Sequence, residues 1–163
     1  MFRELRRSKQ LLSQEETTAV LRRGSSGVLA LMGDDSYPYT VPISYVYDGG
    51  RLYFHCAKSG HKLDAIQRSE KVSFCVIDQD QIVPEKYTTY FRSVIAFGRI
   101  HILEDESKKR MAIEKLAFKY APDSREEDRK TAIQRDWEPL CILEMEIDYI
   151  TGKEAIELVQ ARQ

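Results

Sequence analysis

The chain has 163 residues, with 25 Lys and Arg against 26 Asp and Glu, for a formal net charge of −1. That balance excludes a general polyanion binder, whose footprint is a strongly basic domain, and no nucleic-acid partner is expected. Hydrophobic residues make up 42% of the chain, which excludes wholesale disorder, and a domain of this size hides about 70% of its unfolded surface.

Ser13-Gln14-Glu15-Glu16 has capping-box form, with Ser at the N-cap and Glu three residues on. A helix follows and ends at Arg22-Arg23-Gly24, basic residues at the negative end of the dipole and then a glycine stop. Residues 27–32 are a short apolar run and read as a buried strand. Residues 39–47 alternate, with Tyr39, Val41, Ile43, Tyr45 and Tyr47 on one face. Asp48-Gly49-Gly50 is hairpin chemistry, and 51–57 is the returning strand. Helical spacing returns over 59–68 through Leu63 and Ile66. Residues 71–77 alternate as a strand, and 78–85 are polar, contain Pro84 and read as a loop with a short strand. The longest β-rich stretch is 87–103, where Gly98 predicts a bulge or a close backbone approach. Residues 104–120 form an amphipathic helix stopped by Pro122, and 124–135 read as a solvated helix or loop. A last strand over 140–147 precedes Thr151-Gly152-Lys153 and a polar tail.

Six strands joined mostly by short turns make an antiparallel sheet. Six twisted strands close into a small barrel. The expected fold class is therefore α+β, a mostly antiparallel six-stranded β-barrel with peripheral helices, in one domain over 1–163. Residues 1–10 and 156–163 are expected to be flexible ends. No window approaches the ~20 apolar residues of a membrane span. No apolar stretch of a secretory signal follows Arg3, Arg6, Arg7 and Lys9. Cys56, Cys75 and Cys141 each sit in an apolar run, which predicts buried free thiols and a cytoplasmic location. No Cys-x-x-Cys is present, and His55, His61 and His101 lack ligand spacing, so no metal site is expected.

The densest polar cluster runs from Tyr53 to Lys62, where a strand gives way to a helix. Ser59 is the expected N-cap, and Gly60 lets a ligand approach the backbone. Helix N–H groups with Ser59, His61 and Lys62 form a phosphate site. The plainer reading is a capped helix carrying two exposed basic residues. His55, at a strand end, is by default a partly buried structural histidine, and Cys56 an inert buried thiol. Tyr39, Tyr45 and Tyr90 pack in the core or flank a planar ring.

The ordered set Tyr37-Pro38-Tyr39…Val41-Pro42-Ile43-Ser44-Tyr45, Phe54-His55-Cys56-Ala57, Gly60-His61-Lys62, Ser93-Val94…Phe97-Gly98 and Thr151-Gly152-Lys153 resembles the pyridoxamine 5′-phosphate oxidase-like FMN-binding split-barrel superfamily. Within it the resemblance is to the Nim-type group, named after nitroimidazole-resistance reductases. It covers residues 12–154. It implies a split barrel that forms a homodimer, with FMN as cofactor at the subunit interface. It places Val41, Pro42, Ile43, Ser44 and Tyr45 along the flavin ring, with His55, Cys56 and Ala57 continuing that floor. Ser59, Gly60, His61 and Lys62 would hold the phosphate. Tyr90, Arg92 and Ser93 would approach from the second subunit, and Lys153 would reach the cofactor. The implied activity is an FMN-dependent oxidoreductase that passes electrons from a reductant to a small-molecule acceptor such as a nitroaromatic. His55 would be its catalytic residue, positioning the acceptor or donating a proton. The alternatives are a non-catalytic flavin-binding redox sensor or carrier, and a haem-binding split barrel with His55 or His61 on the iron. The Arg-Leu-His-Asp-Arg type segment of authentic pyridoxamine phosphate oxidases is absent, which argues against vitamin B6 oxidation.

Overall fold

The computed structural model describes all 163 residues. Helix α1 (Gln14–Arg23) opens on the capping box expected from sequence. The Glu16 N–H donates to the Ser13 hydroxyl at 3.1 Å, and the Ser13 N–H donates to the Glu16 carboxylate at 3.0 Å. The glycine after it, Gly24, is not left-handed, with φ of −63°. It is needed for space, since a Cβ there would run into the Tyr45 hydroxyl.

The strands are β1 (Ser26–Met32), β2 (Pro38–Ser44), β3 (Val46–Asp48), β4 (Arg51–Ala57), β5 (Lys71–Val83), β6 (Thr88–Ile102) and β7 (Leu140–Glu154). The remaining helices are α2 (His61–Arg68), α3 (Glu106–Tyr120), α4 (Glu126–Asp136) and α5 (Ile156–Gln160). All strand pairs are antiparallel, in the order β2-β1-β5-β6-β7-β4-β3. The sheet thus has seven strands, not the expected six, and it does not close. The difference lies at Tyr45. Its N–H donates to the Tyr120 hydroxyl at 2.9 Å, and its carbonyl accepts from Lys119 Nζ at 2.9 Å. With both backbone groups taken by the end of α3, the ladder breaks, and the expected 39–47 strand becomes β2 and β3. These lie at opposite edges of the sheet. The chain itself, rather than a hydrogen-bonded ladder, joins the two edges.

Two other expectations are corrected. Residues 78–83 continue β5 and pair with the start of β6 after a register shift between Ile77 and Gln79. The polar side chains there leave no hydrophobic alternation, but the ladder holds them. β7 runs on to Glu154, pairing Lys153 with Ser93. The Gly98 expectation holds: a bulge lies at Phe97/Gly98, and a Cβ would collide with the Glu146 carbonyl.

The barrel interior is filled by Leu29, Leu52, Phe54, Phe74 and Met145 with Tyr45, all buried. The Phe74 ring meets Tyr45 edge-on at 5.0 Å and Phe54 at 5.2 Å. A second cluster forms on the outer face of β4 and β7, where Tyr53 and Ile142 lie under Ala112 and Leu116 of α3. The ends pack on the sheet. Leu12 N–H donates to the Gly152 carbonyl at 2.9 Å, and the Phe2 ring stacks on Tyr149 at 4.8 Å. No helix is long and apolar enough to cross a membrane.

Candidate functional site

The site builds up around the start of α2. Leu63, Ala65 and Ile66 are buried in the main core and anchor the helix. Gly60, not Ser59, is the N-cap, and no side chain caps the helix. Gly60 sits at φ +132°, a backbone conformation suited to glycine. Nothing lies within 4 Å of where its Cβ would be. The first N–H groups of the helix thus have no side-chain cap at the positive end of its dipole.

Neighbouring elements fix this terminus. The His61 ring stacks on Tyr39 of β2 at 4.0 Å, and its Nε2 lies 3.6 Å from the Asp34 carboxylate. Asp34 is in turn held by Arg68 at 2.7 Å. Sequence reading missed Asp34 and Arg68 as positioning residues. The signal was the seven-residue spacing that puts His61 and Arg68 on one helix face, but their shared partner lies in a distant turn.

Lys62 is half-buried. Cys56 stands opposite Cys141 across β4 and β7. Burial pushes the Cys56 thiol up to about 12, the neighbouring Cys141 adds to this, and the Lys62 ammonium acts in the opposite direction. Cys56 is thus a protonated thiol at neutral pH, and a poor nucleophile. All three cysteines are free.

Strand β2 is an edge strand, so one side of its backbone is unpaired. Val41 and Ile43 pack against the core, while Pro42 is exposed and Ser44 half-buried on the alternate face. Tyr45 is buried, and its phenol donates to the Leu21 carbonyl at 2.7 Å. Burial raises its pKa above the ordinary tyrosine value. Val41 and Ile43 therefore offer a ligand backbone rather than side chain, while Tyr45 offers neither, because its N–H and carbonyl are already held by Tyr120 and Lys119. His55, Ala57 and Ser59 are exposed. His55 alternates with Phe54 and Cys56 and points to the face opposite theirs.

A sequence profile described as pyridoxamine 5′-phosphate oxidase matches residues 13–154. The chain belongs to the pyridoxamine 5′-phosphate oxidase family. An uncharacterised protein of Rhizobium meliloti (strain 1021) is 34% identical over 90 residues, 55% of this chain and 54% of that one. The match spans about half the length of that relative. Among solved structures, a candidate 5-nitroimidazole antibiotic resistance protein of Bacteroides thetaiotaomicron superposes with a TM-score of 0.73. It is 20% identical, with 88% of this chain and 86% of that chain covered. A FAD-binding protein of Mesorhizobium loti gives a TM-score of 0.65 at 25% identity, covering 90% and 97%. A FAD and heme binding protein of Mycobacterium smegmatis gives 0.70 at 19% identity, covering 96% and 81%.

In this pyridoxamine 5′-phosphate oxidase family member, the second group of expected site residues has partners away from α2. The Tyr90 hydroxyl accepts from Lys86 Nζ at 3.0 Å. Arg92 donates to Glu154 at 2.9 Å and to Asp78 at 3.0 Å. Ser93 faces Lys153 in register, and Lys153 Nζ lies 5.2 Å from the Phe91 ring centre. Within one chain, two groups of residues form: one around α2 and one at the β6–β7 end.

Proposed function

We propose that this chain binds FMN with its phosphate at the start of α2, and that it works as a homodimeric oxidoreductase passing electrons from a reductant to a small acceptor such as a nitroaromatic. The carrying observation is the uncapped α2 terminus, with open space at Gly60 and Lys62 in the first turn of the helix. Backbone N–H groups, a helix dipole and a cation are what a phosphate monoester needs. The 25% identity to a FAD-binding protein supports a flavin, and the mononucleotide is the flavin that the resemblance of the sequence implies.

A bound flavin supplies the two-electron chemistry, while the chain supplies binding, orientation and electrostatics. Lys62 neutralises phosphate charge. The Tyr39–His61 stack holds the cradle to β2. Pro42, Ser44 and the open backbone edge of β2 lie along the ring, with Cys56 and Ala57 beyond. His55, free of protein partners, positions the acceptor or hands it a proton. The outward faces of β5 and β6 expose Ile77, Ile95 and Phe97, which supports docking of a second copy there. That copy would bring Tyr90, Ser93 and Lys153 to the flavin, while Arg92 keeps the strand in place through Asp78 and Glu154.

The test is an absorption spectrum of the purified protein, with release and mass identification of the chromophore. FMN is expected at one per chain, with turnover by a nicotinamide donor. A colourless protein that takes up no FMN on titration overturns the reading. Flavin without turnover returns the sensor or carrier, and a Soret band the haem protein. Lys62→Ala should weaken FMN binding by about 1.5–3 kcal/mol, the range for a hydrogen bond to a charged group. Unchanged affinity would remove the phosphate assignment.

A further inference from the structure

A groove of about 530 Å³ opens between the end of α1, β3 and α3. Its size is within the roughly 300–1,000 Å³ of small-molecule sites, and none of the residues assigned to the flavin lines it. Val46, Tyr47, Met111 and Phe118 give it an apolar lining, with Phe118 60% exposed.

The groove's charges do not balance. Asp48 is paired with Lys115 at 3.2 Å, and Glu114 lies 4.0 Å from Arg110, so both acids are partnered. Arg22, Lys119 and Arg129 line the groove without a carboxylate partner. Lys119 Nζ donates to the Gly24 carbonyl at 2.5 Å and to the Tyr45 carbonyl at 2.9 Å. The ammonium also lies 4.0 Å from the Tyr45 ring centre, but of its three donors only two meet an oxygen and none meets an anion. Burial holds the Lys119 pKa below the ordinary lysine value. A partly buried cation without a counter-charge is costly, and an anion in the groove would relieve that cost.

We propose that this groove binds a planar apolar molecule carrying one carboxylate, with the carboxylate on Lys119 and Arg22 and the ring against Tyr47 and Phe118. The guanidinium of Arg22 already lies 6.0 Å from the Tyr47 ring centre, where it can close over a flat ligand.

The probes are 2-naphthoate and its neutral isostere 2-naphthamide, titrated into the full-length protein by calorimetry and amide NMR. Naphthoate should bind at one saturable site and shift the amides of Val46, Tyr47 and Lys119. The amide should bind about ten-fold or more weakly, as for loss of one charge-assisted contact. Arg22→Glu and Phe118→Ser alter exposed side chains and should each weaken naphthoate by a similar factor at unchanged melting temperature. Lys119→Met removes the ammonium directly. Because Lys119 also ties down two carbonyls, the two exposed variants keep the test standing if that protein misfolds. Lys62→Ala should leave naphthoate binding unchanged. Absent saturation, equal binding of the amide, or indifference to both Arg22→Glu and Phe118→Ser overturns the proposal. So does a loss of binding in Lys62→Ala, which would put the probe in the flavin site.

Discussion

At the scale of single residues, Gly60 and Asp78 do opposite jobs. Gly60 leaves space. An alanine there meets no atom within 4 Å, yet it must adopt φ +132°, which costs about 1–3 kcal/mol for a side-chain-bearing residue. Gly60→Ala should lower the melting temperature and weaken FMN binding as the α2 terminus relaxes. An unchanged melting temperature would mean that the turn reforms with another backbone shape. Asp78 instead fills space with charge. It accepts from Arg23 at 2.6 Å and from Arg92 at 3.0 Å, and Arg92 continues to Glu154, which also meets Arg162. The Arg23 hydrogen bond, aided by Arg92, holds the Asp78 carboxyl below the ordinary aspartate value. A depressed carboxylate pKa stabilises the fold above the unfolded value of about 3.9, and this contribution is lost as pH falls through the folded pKa. Asp78→Asn should therefore cost about 1.5–3 kcal/mol at pH 7, and the difference from the wild type should shrink below about pH 4. Urea denaturation at the two pH values checks this. A constant difference would mean that Asp78 acts through shape rather than charge.

At the scale of elements, what was legible in the sequence was what is local. The Ser13–Glu16 box, the Asp48-Gly49-Gly50 turn and the Gly98 bulge each depend on a few adjacent residues, and each is present as read. The helix start before His61 and Lys62 was legible for the same reason, although Gly60 rather than Ser59 caps it. The break at Tyr45 was not, because it depends on Lys119 and Tyr120, some 75 residues away. The extension of β5 was not, because solvated strands carry no hydrophobic period. Gly98 is where an element is most constrained. The bulge brings the Glu146 carbonyl into the place of a Cβ, with the Met145 side chain 3.1 Å away. Gly98→Ala must move backbone in β7, and overpacking of this kind costs about 1–3 kcal/mol. Thermal unfolding should show a destabilised protein with a native far-ultraviolet spectrum. A neutral result would show that β6 and β7 can slide apart at the bulge.

At the scale of the whole molecule, the unresolved tension is that the proposed flavin residues fall into two groups that one chain does not bring together. A second copy resolves it only if it docks on the right surface. Ile77, Ile95 and Phe97 are 64%, 39% and 37% exposed on the outward faces of β5 and β6, and an isolated chain gains nothing by presenting them to water. A stable interface needs roughly 800 Å² from each partner, and the register of β5 and β6 puts all three side chains on one sheet face from which such an interface can be built. Light scattering at micromolar concentration should give twice the chain mass. Ile77→Lys with Ile95→Lys should give monomers whose melting shows a folded barrel, because neither side chain belongs to the core. The same variant should lose FMN affinity, since Tyr90, Ser93 and Lys153 no longer reach the partner's flavin. A monomeric wild type that holds FMN tightly would sink the shared site. A monomeric variant with full FMN affinity would confine the whole flavin site to β2, the end of β4 and α2, and leave the β6–β7 residues with a structural role alone.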